Sequence, residues 1–258
     1  MRLCRFELDG EARYGELLKG EDEGRIQPLA GDPFSRARPD GQKVERASVR
    51  LLCPVLPTKI VCVGRNYRAH AAELGHTVPE SPLLFLKPSS ALLPDDLTIR
   101  LPRASERVEH EAELAVVIGK VARKVSASQA REFIYGYTLI NDVTARDIQK
   151  REVQFTRAKG FDTFAPLGPH VDTGFDPSDV AIRCRVNGKV RQDGRTADMV
   201  FDVPTLVSYA SHCMTLLPGD VLATGTPEGV GPLVDGDVVE VEIEGLGVLR
   251  NPVAWEAE

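Results

Sequence analysis

Several things are missing from this chain, and each absence removes a class of function. No apolar run approaches the roughly 18 residues of a membrane-spanning helix. No basic block stands out: 32 Lys and Arg face 38 Asp and Glu, for a net charge of −6 and a pI near 5.5. Nucleic acid and anionic membranes are therefore not expected as partners. The five cysteines (Cys4, Cys53, Cys62, Cys184, Cys213) are odd in number, scattered, and contain no C-x-x-C pair. That argues against a zinc site and a disulfide framework and fits a reducing compartment. The opening "MRLCRFELDGEARYG" is too polar for a signal peptide, so a cytoplasmic location is expected. There is no internal repeat and no low-complexity tract. The glycine-rich "TGTPEG" lacks the G-K-[ST] of a nucleotide loop.

What remains is a chain of 258 residues, 42% hydrophobic and 27% charged, able to bury a sizeable core. Its first 25 residues read as short strands around an Asp9-Gly10 turn, followed by a surface connection, "QPLAGDPFSRARPDGQK". The expected organisation is a small N-terminal β domain with its connection, residues 1–56, and a main body, residues 57–258. In the body, strands are expected at Ile60–Val63, Leu83–Leu86, Leu114–Ile118, Tyr137–Ile140, Ile182–Val186, Val221–Ala223 and Val238–Ile243. Asn187-Gly188 predicts a hairpin. Helices are fewer: one over Tyr67–Leu74, one capped by Thr144, and one opening at Pro204. Many strands without regular βαβ alternation indicate an α+β, mainly-β body of mixed sheet.

The acidic residues raise a chemical question. Side chains alternate along a strand, so "VEHEAELAVVIGK" puts Glu109, Glu111 and Glu113 on one face. "VVEVEIEG" repeats the spacing with Glu240, Glu242 and Glu244, a pattern that reads as a solvated face. The first stretch differs by running on into "LAVVIG", apolar on both faces, as in a strand covered on both sides. Two carboxylates about 5 Å apart at an effective dielectric near 20 repel by roughly 3 kcal/mol. A shared proton or a cation relieves that repulsion. Oxygen donors without clustered Cys or His favour a hard ion, Mg²⁺ or Mn²⁺. Asp142, at the end of the strand in "GYTLINDVTARDIQ", offers a third oxygen, although a turn or capping aspartate is the more frequent role at such a position. His70 and Glu73 fall at i, i+3 on one face of a short helix ending before Gly75; by themselves they read as an exposed polar face. Lys87 closes the apolar run "LLFLKP", which calls for an anion beside it.

Seven separated segments then resemble the fumarylacetoacetate hydrolase family, in family order from about Pro57 to the C-terminus: "KIVCVGRNYRAHAAELG", "LLFLKPSSAL", "HEAELAVVIGK", "GYTLINDVTARDIQ", "FTRAKGFDTFAPLGP", "NGKVRQDG" and "LLPGDVLATGTPEGVGPL". The resemblance implies a roll of mixed β-sheet, a homodimer, and Mg²⁺ (or Mn²⁺) held by Glu111, Glu113 and Asp142, with Glu109 not a ligand but a charge at the rim or behind the ligands. It implies that His70 activates water, that Glu73 orients it, and that Lys159 stabilises developing negative charge. Substrate would meet Lys87, Arg146, Gln149 and Thr226. The implied reaction is hydrolytic cleavage of a C–C bond in a small 2-oxo acid such as an acylpyruvate. The alternative on the same site is isomerisation or decarboxylation of a 2-hydroxydienedioate, an oxo-enedioate or oxaloacetate in aromatic-acid degradation. A reading of another class is a binding protein that keeps the metal as a structural clamp.

Overall fold

Asp9 and Gly10, both at positive φ (53° and 79°), turn the strand Arg2–Leu8 back into Glu11–Leu17 in the computed structural model, which describes residues 1–257. The same device recurs at Asn187-Gly188 (φ 52° and 74°), which joins Ala181–Val186 to Lys189–Arg195 as the sequence predicts. The N-terminal strand does not stop at its own hairpin. Arg2 pairs with Asp172 of the strand Ala165–Asp172, so the N-terminal strands and the body share one 13-stranded sheet. From there the sheet continues through Ile134–Asn141, Ala112–Ile118 and Val221–Ala223 to Ile60–Gly64 and Leu83–Lys87. Most neighbours are antiparallel, but Val221–Ala223 runs parallel to Ile60–Gly64, so the sheet is mixed.

A five-stranded sheet packs over this one, with Val238–Ile243 between Ala181–Val186 and Gly247–Trp255. Alternation sets the contact: Leu114, Val116 and Ile118 meet a layer containing Ile182, Cys184, Val239, Val241 and Ile243, all buried. A three-stranded sheet, Val108–His110 between Thr144–Ala145 and Gly231–Pro232, sits where the ligand-bearing strand enters the large one. The longest helix, Val203–Cys213, is capped by Asp202, which accepts from Thr205 N at 2.9 Å, and carries Pro204 in its first turn. Among the described residues no helix is long and apolar enough to cross a membrane. All five thiols are free, and four are buried.

The architecture is the mainly-β, mixed-sheet arrangement expected, but three local expectations fail. The supposed connection after Arg25 begins as a strand, Arg25–Ala30. Ile26 is buried with Cys4, Phe6 and Leu51, and the Pro28 carbonyl accepts from Asp40 N at 2.9 Å, so tertiary pairing overrides the proline signal. Thr144 does not cap the next helix. It is a bridge residue opposite Glu109, its hydroxyl donates to the Asp142 carbonyl (2.8 Å), and Arg146–Arg151 starts after Ala145. The strand Ala165–Asp172 was not apparent in the pattern because Pro166, Gly168 and Pro169 interrupt it. The register break opposite Tyr137–Leu139 is what accommodates them.

Candidate active site and metal centre

Glu111 lies at the joint between two sheets. Its N–H donates to Asn141 Oδ1 (2.9 Å) and its carbonyl accepts from Asp142 N (2.9 Å), which sets Glu111 beside the end of Ile134–Asn141. Glu113, two residues on, pairs with Ile140. The outcome is that Glu111, Glu113 and Asp142, each less than 5% exposed, bring carboxylate oxygens within 4.8 Å of one another. A close turn completes this end of the site. Gly225 N donates to Glu113 Oε2 (2.8 Å), and a Cβ on Gly225 (φ 97°) would lie 2.7 Å from Asn66 Cβ, so only glycine fits.

Burial pushes a carboxyl toward its neutral form, and the cations packed around this cluster oppose it. Lys159 Nζ donates to Glu111 Oε2 (2.8 Å) and Asp142 Oδ2 (2.7 Å), while Lys87 Nζ donates to Asp142 Oδ1 (2.5 Å) and the Val143 carbonyl (3.0 Å). Arg146 clamps Glu111, Glu109 (Nε to Oε2, 2.6 Å) and Gln149. Desolvation pushes Glu111 up, but Lys159 and Arg146 outweigh it and hold its carboxyl well below the usual range. Glu113 moves the opposite way. Burial, then the charges of Asp142 and Glu111, raise it far above an ordinary glutamate, and its one hydrogen-bond partner is a backbone N–H. Burial lowers Lys87, whereas at Lys159 Asp142 and Glu111 more than offset burial and raise it.

The residues present fit a divalent ion. The donors are all carboxylate oxygens, which suits a hard cation. Four buried carboxylates, Glu109 included, face three buried cations, and Glu113 is the acid left without a cationic partner.

A cavity of about 390 Å³ opens onto this cluster. His70 and Glu73 line it from the helix Arg68–Glu73, which ends in a Schellman turn at Gly75 (φ 72°), with His76 N donating to the Ala71 carbonyl. The solvent-facing reading fails for His70, which is 5% exposed. Its Nδ1 sits 3.2 Å from Glu73 Oε2, and Glu73 Oε1 accepts from Gly229 N at 3.0 Å. Lys159, Arg146, Gln149 and Thr226 also line the cavity, with Phe85, Phe155 and Leu83 as its apolar wall. The cavity and the cluster thus bring together nearly every residue the sequence singled out.

Two placements depart from expectation, and a third is decided between two readings. Lys87 is not on the cavity wall: it lies behind Asp142, and the anion it meets is that aspartate. Glu109 takes the second of its two expected places, behind the ligands rather than at the rim, being 2% exposed and held by Arg146 and Arg107. The Thr226 hydroxyl is engaged, donating to the Ala112 carbonyl (2.8 Å) and accepting from Gln192 Nε2 (2.7 Å), which leaves little for a ligand. Gln192 itself went unnoticed. It is wholly buried and ties Ala112 N and His110 Nδ1 to Thr226 and the Pro227 carbonyl. A polar residue at the one buried position of Lys189–Arg195 was not distinguishable by pattern from its exposed neighbours.

Comparison with known proteins agrees with this geometry. Residues 59–254 match the family described as fumarylacetoacetate (FAA) hydrolase C-terminal, and residues 1–54 match the family described as Rv2993c-like, N-terminal. Oxaloacetate tautomerase FAHD1, mitochondrial, of Arabidopsis thaliana is 48% identical over 202 residues, covering 76% of this chain and 91% of that protein. The crystal structure of 2-hydroxyhepta-2,4-diene-1,7-dioate isomerase from Mycobacterium marinum superposes with a TM-score of 0.93 at 44% identity, covering 100% of both chains. Fumarylpyruvate hydrolase from Pseudomonas aeruginosa, solved in complex with Mn²⁺ and pyruvate, matches at 36% identity and a TM-score of 0.75, over 80% of this chain and 92% of that one.

Proposed function

The chain belongs to the fumarylacetoacetate hydrolase family, and from that premise we propose that it is a divalent-metal-dependent enzyme that hydrolyses a C–C bond in a small acylpyruvate-type 2-oxo acid. The observation that carries this reading is the His70–Glu73 pair, held in the same cavity as the Glu111, Glu113 and Asp142 carboxylates. Mg²⁺ or Mn²⁺ held by those three residues would supply Lewis-acid stabilisation of negative charge on the substrate oxygens.

The rest of the chemistry falls to the chain. With Nδ1–H directed at Glu73 Oε2, the His70 ring keeps a free lone pair on Nε2. There it takes a proton from water as the water oxygen adds to the acyl carbonyl carbon. The bond from that carbon to the pyruvate methylene breaks, its electron pair stays with the pyruvate unit, and His70 returns the proton to the methylene carbon, which becomes the methyl group of pyruvate. Lys159, whose ammonium stays charged through Asp142 and Glu111, lies in the cavity wall to meet the charge that builds on the departing pyruvate unit. Arg146 donates to both Gln149 and Glu111, which fixes all three at the floor of the site. Phe85 and Phe155, edge to face at 5.6 Å, shield it from bulk water.

A second reading is isomerisation of a 2-hydroxydienedioate on the same residues, a proton moved between carbons with no water consumed. It is favoured by the likeness to the M. marinum isomerase, 44% identical over the whole chain against 36% for the P. aeruginosa hydrolase.

The deciding experiment assays metal-stripped protein with and without Mg²⁺ or Mn²⁺ on acetylpyruvate, oxaloacetate and 2-hydroxyhepta-2,4-diene-1,7-dioate. Metal-dependent release of acetate and pyruvate is the expected result. Turnover of the dienedioate alone moves the assignment to the isomerase. Tight metal binding with no turnover of any of the three sinks the enzymatic reading and leaves a metal-clamped binding protein.

A further inference from the structure

Six of the seven segments that carry the family likeness give a side chain to the cavity or to the carboxylate cluster. The seventh, "NGKVRQDG", gives none to either. It forms a turn and most of the strand Lys189–Arg195, the last strand of the five-stranded sheet, with Gln192 as its one buried residue. A bulge sets that position: Cys184 pairs with Gln192 and Arg185 with Val190, so Arg191 has no partner in the ladder.

Every hydrogen-bonding capacity of the Gln192 amide is used. Oε1 accepts from Ala112 N (3.0 Å) and lies 3.1 Å from His110 Nδ1, so it grips both neighbours of Glu111. Nε2 donates to Thr226 Oγ1 (2.7 Å) and to the Pro227 carbonyl (2.8 Å), and so grips the loop that follows Val221–Ala223. That loop serves both halves of the site. At its start Gly225 N donates to Glu113 Oε2 (2.8 Å), within the carboxylate cluster. At its end Gly229 N donates to Glu73 Oε1 (3.0 Å), whose other oxygen is 3.2 Å from His70 Nδ1. The start is fixed independently, since Gly225 lies against Asn66 and the Thr226 hydroxyl donates to the Ala112 carbonyl. The end rests on the strand of Gln192 itself. A Cβ on Gly194 would come 2.6 Å from Pro227 Cβ, and one on Gly229 would come 2.1 Å from the Arg191 carbonyl oxygen.

We propose that Gln192 is a positioning residue of the reaction: by spanning from the strand of Glu111 to the loop of Gly229, it fixes the distance between the carboxylate cluster and the His70–Glu73 pair. This rests on the hydrolytic reading of the site, in which water activated by His70 must meet a carbonyl carbon held near the cluster. A displacement of about 1 Å between such groups can cost about 10²-fold in rate. A neutral amide holds the distance without adding charge beside acids already balanced by Lys87, Arg146 and Lys159. An apolar side chain in its place would leave Ala112 N and the Pro227 carbonyl without partners.

The test replaces Gln192 by Met, which keeps the length without the amide, and by Asn, which keeps the amide without the length. Both variants are measured for Mn²⁺-dependent acetylpyruvate hydrolysis, for Mn²⁺ affinity by titration calorimetry, and for hydrogen exchange. Each should lower kcat by at least ~10-fold while KM and Mn²⁺ affinity stay within about threefold of wild type. Exchange should quicken in residues 68–74 and 226–230 and stay unchanged in residues 113–118. In a His70→Ala background the same substitutions should cost no more than about twofold further, because they act through that histidine. Losses that multiply in the double variants, or Mn²⁺ affinity that falls along with kcat, make Gln192 a support of the fold alone and overturn the proposal. So does a wild-type kcat in both variants, or the failure of both to fold. If the wild-type protein binds Mn²⁺ but does not hydrolyse acetylpyruvate, the hydrolytic reading itself falls and this proposal with it.

Discussion

Two stretches of this chain carry three glutamates at alternate positions, and they behave as opposites. Val238–Ile243, continued by Glu244, presents its acids to solvent: the side chains of Glu240 and Glu242 are 31% and 29% exposed, and their partners are the half-exposed arginines Arg183, Arg185 and Arg250. Glu109, Glu111 and Glu113 are all below 5% exposed. Both strands have hydrogen-bonded neighbours on each side, so position in a sheet does not separate them. What separates them is the layer over the acidic face. Three short helices, Arg68–Glu73, Arg146–Arg151 and Thr156–Lys159, bring His70, Arg146 and Lys159 over Glu111 and its neighbours, whereas the face of Glu240 and Glu242 remains open. A surface pair in water contributes little; the same charges without water must be matched nearly one for one.

The contrast can be broken most severely at the buried strand. Glu113→Gln removes a metal ligand and a repulsive charge together, so turnover should fall at least ~10³-fold, with metal affinity falling in parallel in a calorimetric titration and no loss of stability in the metal-free protein. A variant that instead unfolds would make the cluster a structural clamp. Lys159→Met leaves Glu111 and Asp142 facing each other without their shared cation. Denaturant unfolding of the metal-free protein should show a loss of about 3–5 kcal/mol, partly restored by Mn²⁺. His70→Ala should lower hydrolytic turnover by about 10²-fold without altering metal affinity, and hydrolysis near the wild-type rate would remove His70 from the water route.

Proton linkage sharpens the comparison further. Because the folded protein raises Glu113 above 4.5, it binds a proton there more tightly than the unfolded chain does. That stabilisation is complete below the unfolded value and is lost as pH rises through the folded one. Melting of the metal-free protein should therefore decline with rising pH above about 4.5 in wild type and less so in Glu113→Gln. Metal binding should release the proton, seen as a buffer-dependent heat. Glu111, held low by Lys159 and Arg146, contributes in the opposite sense, with stability present above 4.5 and lost toward strong acid. The smallest effect is expected at the open strand: Glu242→Gln should change stability by no more than about 0.5 kcal/mol and leave turnover untouched.

Much of this site was visible in one dimension. The E-x-E spacing, the shift from alternating to wholly apolar residues after Glu113, and an aspartate at a strand end all survive folding because they are local properties of a strand. The hairpins at Asp9-Gly10 and Asn187-Gly188 were readable for the same reason. The failures have the opposite character. Lys87 finds Asp142 55 residues away, Glu109 finds Arg146 37 residues away, and Gln192 reaches Thr226 across 34. No period within a strand announces such partners. Arg25–Ala30 and Ala165–Asp172 are strands despite their prolines because neighbouring strands, Glu11–Leu17 and Ile134–Asn141, supply the pairing.

The sequence by itself determined which side chains share a face, where the chain turns, and that oxygen ligands of one charge would gather at the end of a buried strand, since each follows from backbone geometry over a few residues. Only the tertiary structure decided which acids are dry and which cations neutralise them. Desolvation and Coulomb energies depend on distances between groups far apart along the chain, and packing alone sets those distances.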